Sequence, residues 1–249
     1  MTGTPPRPAL LLLGSLLREL RTDRGMSLRA LARTLGFTAG ELSAWELGAR
    51  RPPAEAAAFI LGYLHAKPAD YEQLLKLHQQ SERPSYVEEI GPGATNLQHV
   101  YENHAVRVFE WAPHVLPEVL QTSEDVEAML RRGDVRLDDI DQELFARQVR
   151  EAGRPPGYRH VALLGETALA GTSGLPRKEY VTVLAVPAVA CATEAAYGFS
   201  IYELTVGTFT VVLRHEYARI YLGDPRTVER YRATFRRLHR KALDHTPSR

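Results

Sequence analysis

Cysteine is almost absent: Cys191 is the single one in 249 residues. A lone thiol cannot close a disulfide within the chain and cannot build a thiolate metal site. That usage fits a reducing cytoplasm. A buried lone thiol is ordinarily inert fill, with redox sensing as the alternative. Lysine is scarce too, at four of 31 basic residues, and the arginine bias, with many Ala and Pro, points to a high-GC genome. No run of 18 apolar residues occurs, so no helix is long and apolar enough to cross a bilayer. The apolar stretch at residues 9–17 lacks a small-residue cleavage site, and Arg18, Glu19 and Arg21 follow at once. It reads as the start of an amphipathic helix rather than a signal peptide.

Catalytic signatures are also missing. His215-Glu216 has no second histidine at zinc-protease spacing, and His, Cys and carboxylates show no ligand pattern. No nucleophile elbow or kinase set occurs. Gly91-Pro92-Gly93 follows no strand pattern and precedes no phosphate-loop lysine. The chain reads as a non-enzyme with no cofactor and no metal.

What is present is the composition of a soluble globular protein, 44% apolar and 24% charged, long enough for two ordinary domains. Net charge is only +1 but unevenly spread: +3 over residues 1–80, −7 over 81–157 and +5 over 158–249. Such asymmetry can accompany a nucleic-acid partner.

Leu13, Leu16, Leu17 and Leu20 recur at helical spacing in residues 10–24, and Gly25 ends that helix. Ser27 is placed to cap a second helix, 28–35, with Leu28, Leu31, Ala32 and Leu35 inward and Gly36 as its stop. Thr38 is placed to cap a third, 39–47, and Glu41 at its third position completes a capping box. Gly48 stops it. Pro52-Pro53 opens a fourth helix over 54–65, and Pro68 a fifth, to about residue 80. Residues 82–96 hold two Pro and two Gly without clean periodicity and read as a linker.

Beyond it, residues 97–111, 124–132 and 137–151 read as helices. Then the period shortens: 159–164, 180–186, 199–204 and 208–215 are rich in Val, Ile, Thr, Tyr and Phe and read as strands, the last two a hairpin about Gly207. Residues 225–243 read as a long final helix. Its seam Val228, Tyr231, Phe235, Leu238 and Ala242 suits core packing. Its many arginines read as a solvated face or as partners of the acidic middle segment, with DNA as the other option.

Two short helices about a glycine turn make a helix-turn-helix, whose second helix enters the major groove. Within 28–51 stand Ala32, Leu35 and Gly36, then Ser43, Trp45, Glu46, Gly48, Arg50 and Arg51. This run resembles the xenobiotic-response-element-type, lambda-repressor-like helix-turn-helix. The resemblance implies that Thr38, Ala39, Gly40 and Ser43 meet base edges, and that Arg29, Arg33, Arg50 and Arg51 reach phosphates. Phosphate contacts give affinity rather than sequence choice. Ala39 and Gly40 stand where many relatives carry a reader such as Gln. Alanine can touch a thymine methyl and glycine nothing, so selectivity falls to Thr38, Ser43, the arginines or DNA shape. The other reading of the motif is a degenerate one used for packing or dimerisation. One such module reads few base pairs, so the expectation on duplex DNA is a homodimer over half-sites about 34 Å apart. The dimer contact is expected from the fifth helix or the C-terminal domain.

The rest of the chain carries Glu102-x-x-Ala105, Phe109-Glu110, residues 116–122 (LPEVLQT), Arg147-Gln148, Arg150 and Pro155-Pro156. A final segment holds Glu216, Tyr221, Val228, Tyr231, Phe235 and Leu238. These resemble the actinomycete antitoxin-like regulators, WhiJ-like ones among them, in which a helix-turn-helix precedes a domain of unknown function. Two departures stand out: Glu118 replaces a usual glycine, and the segment between Glu166 and the strand at Tyr180 is short, which puts any pocket it helps to form in doubt. The resemblance points to Glu118, Gln121, Arg147 and Gln148 as partner- or ligand-binding residues. Arg147 and Gln148 suit either an anionic ligand or an ordinary helix surface with a carboxylate partner. Gln121-Thr122 suits a helix cap or a partner contact.

The fold expected is α+β. It has an N-terminal all-α five-helix lambda-repressor-like domain (1–81), a linker (82–96) and a C-terminal α+β domain (97–249) with a small, mainly antiparallel sheet and a long final helix. The function expected is a cytoplasmic DNA-binding regulator controlled by a partner or ligand. Three alternatives differ: an antitoxin-like protein whose main work is binding a small neighbouring-gene product, a sensor of a small ligand at the same place, and an enzyme carried on a DNA-binding domain.

Overall fold

The computed structural model describes residues 7–89, 97–132, 137–170, 174–189, 195–204, 207–215 and 218–244. The chain forms two compact units. One takes Met1–Val100 with Tyr217–Asp224, the other Tyr101–Glu216 with Pro225–Arg249.

In the first unit Pro8 begins α1 (Pro8–Asp23), where its missing N–H is no loss. Leu10, Leu11, Leu12, Leu13 and Leu17 are all buried, so α1 is the spine of this core. Ser27 caps α2 (Leu28–Leu35), its hydroxyl accepting from the Ala30 N–H at 3.2 Å. Gly36 then turns the chain at φ 75°. Thr38 and Glu41 form the expected capping box on α3 (Ala39–Glu46). Two further helices, α4 (Ala54–Tyr63) and α5 (Pro68–Gln80), bury Ile60, Leu61, Leu74 and Leu77.

The backbones of α1 and α3 approach very closely. A Cβ on Gly14 would collide with the Trp45 carbonyl and lie 2.7 Å from that of Glu46. Beside this contact, Arg21 donates from Nε and Nη2 to the two Glu46 oxygens at 2.6 and 2.7 Å. Both side chains are over nine-tenths buried, and Arg21 Nη1 also donates to the Met26 carbonyl at 2.7 Å.

The stretch expected as a linker holds a strand, β1 (Ser85–Glu89). It pairs antiparallel with β7 (Ala218–Leu222), which comes from far along the chain. Glu88 on β1 is 2% exposed and accepts from the Leu97 N–H at 2.6 Å and the Tyr221 hydroxyl at 2.8 Å. Residues 90–96, with Gly91-Pro92-Gly93, lie outside the described residues. So do Cys191 and Glu216.

The helix expected over 97–111 is corrected. It ends as α6 (Leu97–His104), and Ala105–Ala112 is a strand, β2. Val106, Val108, Phe109 and Trp111 suit a strand, and β2 is paired on both sides. In the second unit the strand order is β6-β5-β2-β3-β4, with β3 (Arg159–Gly165), β4 (Val181–Val186), β5 (Phe199–Leu204) and β6 (Phe209–Arg214). β2, β3 and β4 run parallel, while β5 pairs antiparallel with β2 and with β6. Gly207, at φ 71°, lies between β5 and β6. The α+β class expected from the sequence is the one found.

Alternation along the strands gives this sheet two distinct faces. On one, Phe109 meets Phe235 and Phe199 meets Tyr231, ring centroids 5.4 and 4.9 Å apart. Both partners belong to the long helix α10 (Pro225–Asp244). On the other, Ala112, Ala162 and Leu164 pack with Val119 and Leu120. Those two lie in a short 3-10 turn, Glu118–Leu120. The remaining helices of this unit are α7 (Ser123–Arg132), α8 (Leu137–Ala152) and the short α9 (Glu166–Ala170).

Two outcomes follow for stability. Glu46→Ala strands a buried guanidinium and is expected to cost about 3 kcal/mol, read from the urea midpoint of the full chain; a loss under about 1 kcal/mol would refute this role. Glu88 is the second case. Burial pushes its carboxyl above the ordinary value, against the pull of the Leu97 N–H, the Tyr221 hydroxyl and Arg219. A raised folded value stabilises below the unfolded one, and that contribution is lost as pH rises through the folded value. Glu88→Gln keeps an acceptor for Leu97, so relative to wild type it should gain stability between about pH 4 and pH 7. Equal midpoint differences at both pH values would contradict this.

Candidate nucleic-acid interface and polar pocket

Helices α2 and α3 divide their side chains sharply. Leu31, Ala32, Leu35, Leu42 and Trp45 are buried, Trp45 edge-on to Phe37 at 5.1 Å between centroids. Thr38, Ala39 and Gly40 are exposed at the leading end of α3, and Ser43, one turn on, is half-buried. The Thr38 N–H and hydroxyl both donate to Glu41, at 3.0 and 2.8 Å. These bonds hold the Glu41 carboxyl below its ordinary value, the backbone N–H contributing most.

Arg29 and Arg33 are exposed on α2. Arg50 is exposed as well; it lies 3.6 Å from Glu41 and 5.8 Å over the Trp45 ring. Arg51 differs from these three. It is half-buried, 3.1 Å from Glu82, and its Nη2 lies 3.0 Å from His78 Nδ1. His78 Nε2 faces the Pro52 carbonyl at 2.9 Å, so Nε2 carries the proton and Nδ1 accepts from Arg51. All eight expected DNA-facing residues are thus exposed or half-buried, but Arg51 is tied to α5.

A second feature lies wholly within the other unit. A pocket of about 410 Å³ opens on the sheet face opposite α10. Glu110, His160, Tyr202 and Arg214 line it from four strands, brought together by the period-2 alternation. The residues singled out from the sequence, Glu118, Gln121, Arg147 and Gln148, all line it too. Gln121 braces Arg147: its amide oxygen accepts from Arg147 Nη1 at 2.8 Å, and its NH2 donates to the Leu116 carbonyl at 2.8 Å. Thr122, not Gln121, caps α7, its hydroxyl accepting from the Asp125 N–H at 3.2 Å. Gln148 is exposed at the rim.

Glu118 lies 3.0 Å from Arg214 and 3.6 Å from Arg150, and Arg150 lies 3.8 Å from Glu102. His160 Nε2 is 3.0 Å from Glu110, and its Nδ1 is 3.0 Å from the Tyr158 hydroxyl. Burial pushes the Glu110 carboxyl up, but the His160 hydrogen bond and the field of Arg214 outweigh it and hold it below the ordinary range. Burial raises the Tyr158 and Tyr202 hydroxyls well above theirs. Sequence reasoning missed Tyr158, His160, Tyr202 and Arg214, whose only signal is strand alternation across distant segments. Among the described residues no group of three His, Cys, Asp or Glu side chains is placed to hold a metal ion.

Comparison with known proteins gives two family matches. Residues 12–82 match a helix-turn-helix domain, and residues 97–178 match a domain of unknown function, DUF5753. No curated protein matches the chain. Among solved structures, the clp gene regulator ClgR from Corynebacterium glutamicum is 32% identical over 31% of this chain and 79% of its own, with a TM-score of 0.26. The restriction-modification controller protein C.Esp1396I, solved as a tetramer with its natural 35 base-pair operator, is 19% identical over 28% of this chain and 95% of its own, with a TM-score of 0.25. The chain carries a helix-turn-helix domain followed by a DUF5753 domain.

Proposed function

We propose that this protein is a sequence-specific DNA-binding transcription regulator of the XRE type. One observation carries the reading: α3 is capped, locked from below by Leu42 and Trp45, and offers Thr38, Ala39 and Gly40 to solvent between three exposed arginines. A recognition helix needs that combination of a rigid seat and a free leading edge. Thr38 and Ser43 are the base readers in this reading, and Arg29, Arg33 and Arg50 the phosphate anchors. Arg51 serves chiefly as a strut between α3 and α5.

The regulator acts as a homodimer. Phe59 and Tyr63 on α4, and Tyr71 and Leu75 on α5, are each more than two-fifths exposed, and each pair is one helical turn apart. Such apolar surface suits a self-interface. The second unit is the control module, answering a partner protein or a ligand at Glu118, Gln121, Arg147 and Gln148. It has no catalytic role. The arginine bias and the motifs quoted above support an actinomycete cytoplasmic regulator of the antitoxin-like, WhiJ-like type. A second reading has one observation in its favour: the net charge of −7 over residues 81–157 suits a basic partner protein. That reading is an antitoxin-like factor whose main work is to bind a small neighbouring-gene product, and co-purification with that product tests it.

Gel shifts with DNA from the gene's own upstream region test the first reading. Affinity is expected to fall linearly in log–log form with salt. Arg29→Ala, Arg33→Ala and Arg50→Ala should weaken all sequences alike and each reduce the salt slope by about 1, Arg51→Ala by less. Ser43→Ala should change preference among sequences instead. No shift at low salt would overturn the proposal. For the dimer, Phe59→Ser with Leu75→Ser should give a monomeric mass in sedimentation and a footprint of one half-site; a wild-type chain that is monomeric on and off DNA would refute it.

A further inference from the structure

The pocket of the second unit is charged to a degree that stability does not reward. At about 410 Å³ it falls in the size range of small-molecule sites. Glu102, Glu110, Arg150 and His160, all lining it, are each less than a tenth exposed. A buried ion pair of this kind is commonly no more stable than an apolar replacement. Natural chains keep such arrangements where function needs them.

The fixed charges are sorted by exposure. The deeply buried group has two carboxylates, Glu102 and Glu110, against one guanidinium, Arg150. The more accessible group has four cations, Arg147, Arg154, Lys178 and Arg214, against three carboxylates, Glu118, Glu124 and Glu151. The buried set is thus negative by one and the more exposed set positive by one. An apolar ligand would strip water from these charges and return nothing. A polyanion would meet five carboxylates, and a simple cation as many positive side chains.

Arg154 supplies a second, independent observation. Its guanidinium lies over the rings of Tyr158 and Tyr180, at 5.1 and 5.0 Å, which leaves its edge as the donor surface. Nη1 donates to the Tyr180 hydroxyl at 2.6 Å and lies 3.7 Å from a Glu151 oxygen, whereas Nε is buried with no hydrogen-bond partner among the described residues. A buried donor without a partner is unusual in a native fold. The guanidinium edge is the face that takes a carboxylate in two-point fashion.

We infer that this pocket binds a small zwitterion, a free amino acid or a short peptide, with its ammonium toward Glu102 and Glu110 and its carboxylate on the Arg154 edge. Val119, Val126, Leu144 and Pro176 line the pocket as well and give the ligand's side chain an apolar wall. This deepens the proposed control module by naming its ligand class, and only its regulatory consequence rests on that reading.

The test is calorimetry of the full-length protein, without DNA, against the twenty standard amino acids and the matching glycyl dipeptides. At least one is expected to bind with Kd of about 1 mM or tighter. The two panels separate a free amino acid from a peptide as the source. N-acetylation of the binder, or its methyl ester, is expected to weaken binding at least about tenfold, as is Arg154→Met. Glu102→Gln should do the same; if that variant fails to fold, the blocked ligands still decide. The inference is overturned if no member of either panel binds, if the blocked analogues bind as well as their parents, or if only phosphorylated anions or uncharged sugars bind. Gel shifts without added ligand report on DNA binding separately, so either idea can fail alone.

Discussion

Arg21 and Glu46 meet 25 residues apart in a two-point pair that joins the last turn of α1 to the last residue of α3. Three nearby features serve the same junction. Gly14 lets the α1 backbone lie against the Trp45 and Glu46 carbonyls, Gly48 brings the next turn onto Leu11, and Trp45 closes the core beneath. A Cβ on Gly48 would stand 2.7 Å from Leu11 Cα, and its φ of 63° already disfavours a side chain. Apolar packing alone would let a helix of eight residues rotate or slide. A fork-to-fork arginine–carboxylate pair has one geometry, so it sets which face of α3 points outward. Glu46 belongs to the motif run that gave the resemblance, yet its role is inside the fold.

What could be read from the sequence was what local chemistry decides. Ser27, Gly36, Thr38, Glu41 and Pro68 act on their own neighbours within four residues, and α2, α3 and α5 stand within a residue of where those signals put them. What escaped depends on partners far away in the chain. β1 is five residues with one buried side chain, and its partner begins more than 100 residues later. Nothing nearby marks it as a strand. In the sequence, β2 reads as a continuation of α6 because its apolar residues, Val106, Val108, Phe109 and Trp111, satisfy either period over so short a run. Pairing on both sides decided it.

The pocket divides along the same line. Glu118, Gln121, Arg147 and Gln148 stand in short motifs and could be named from the sequence. His160, Tyr202 and Arg214 could not, because each is one residue on an ordinary-looking strand, and only the register of β2, β3, β5 and β6 aligns them. Their charges and hydroxyls then reshape one another: His160 and Arg214 keep Glu110 ionised below its usual range despite burial. Such coupling is a property of the assembled sheet and is carried by no single segment.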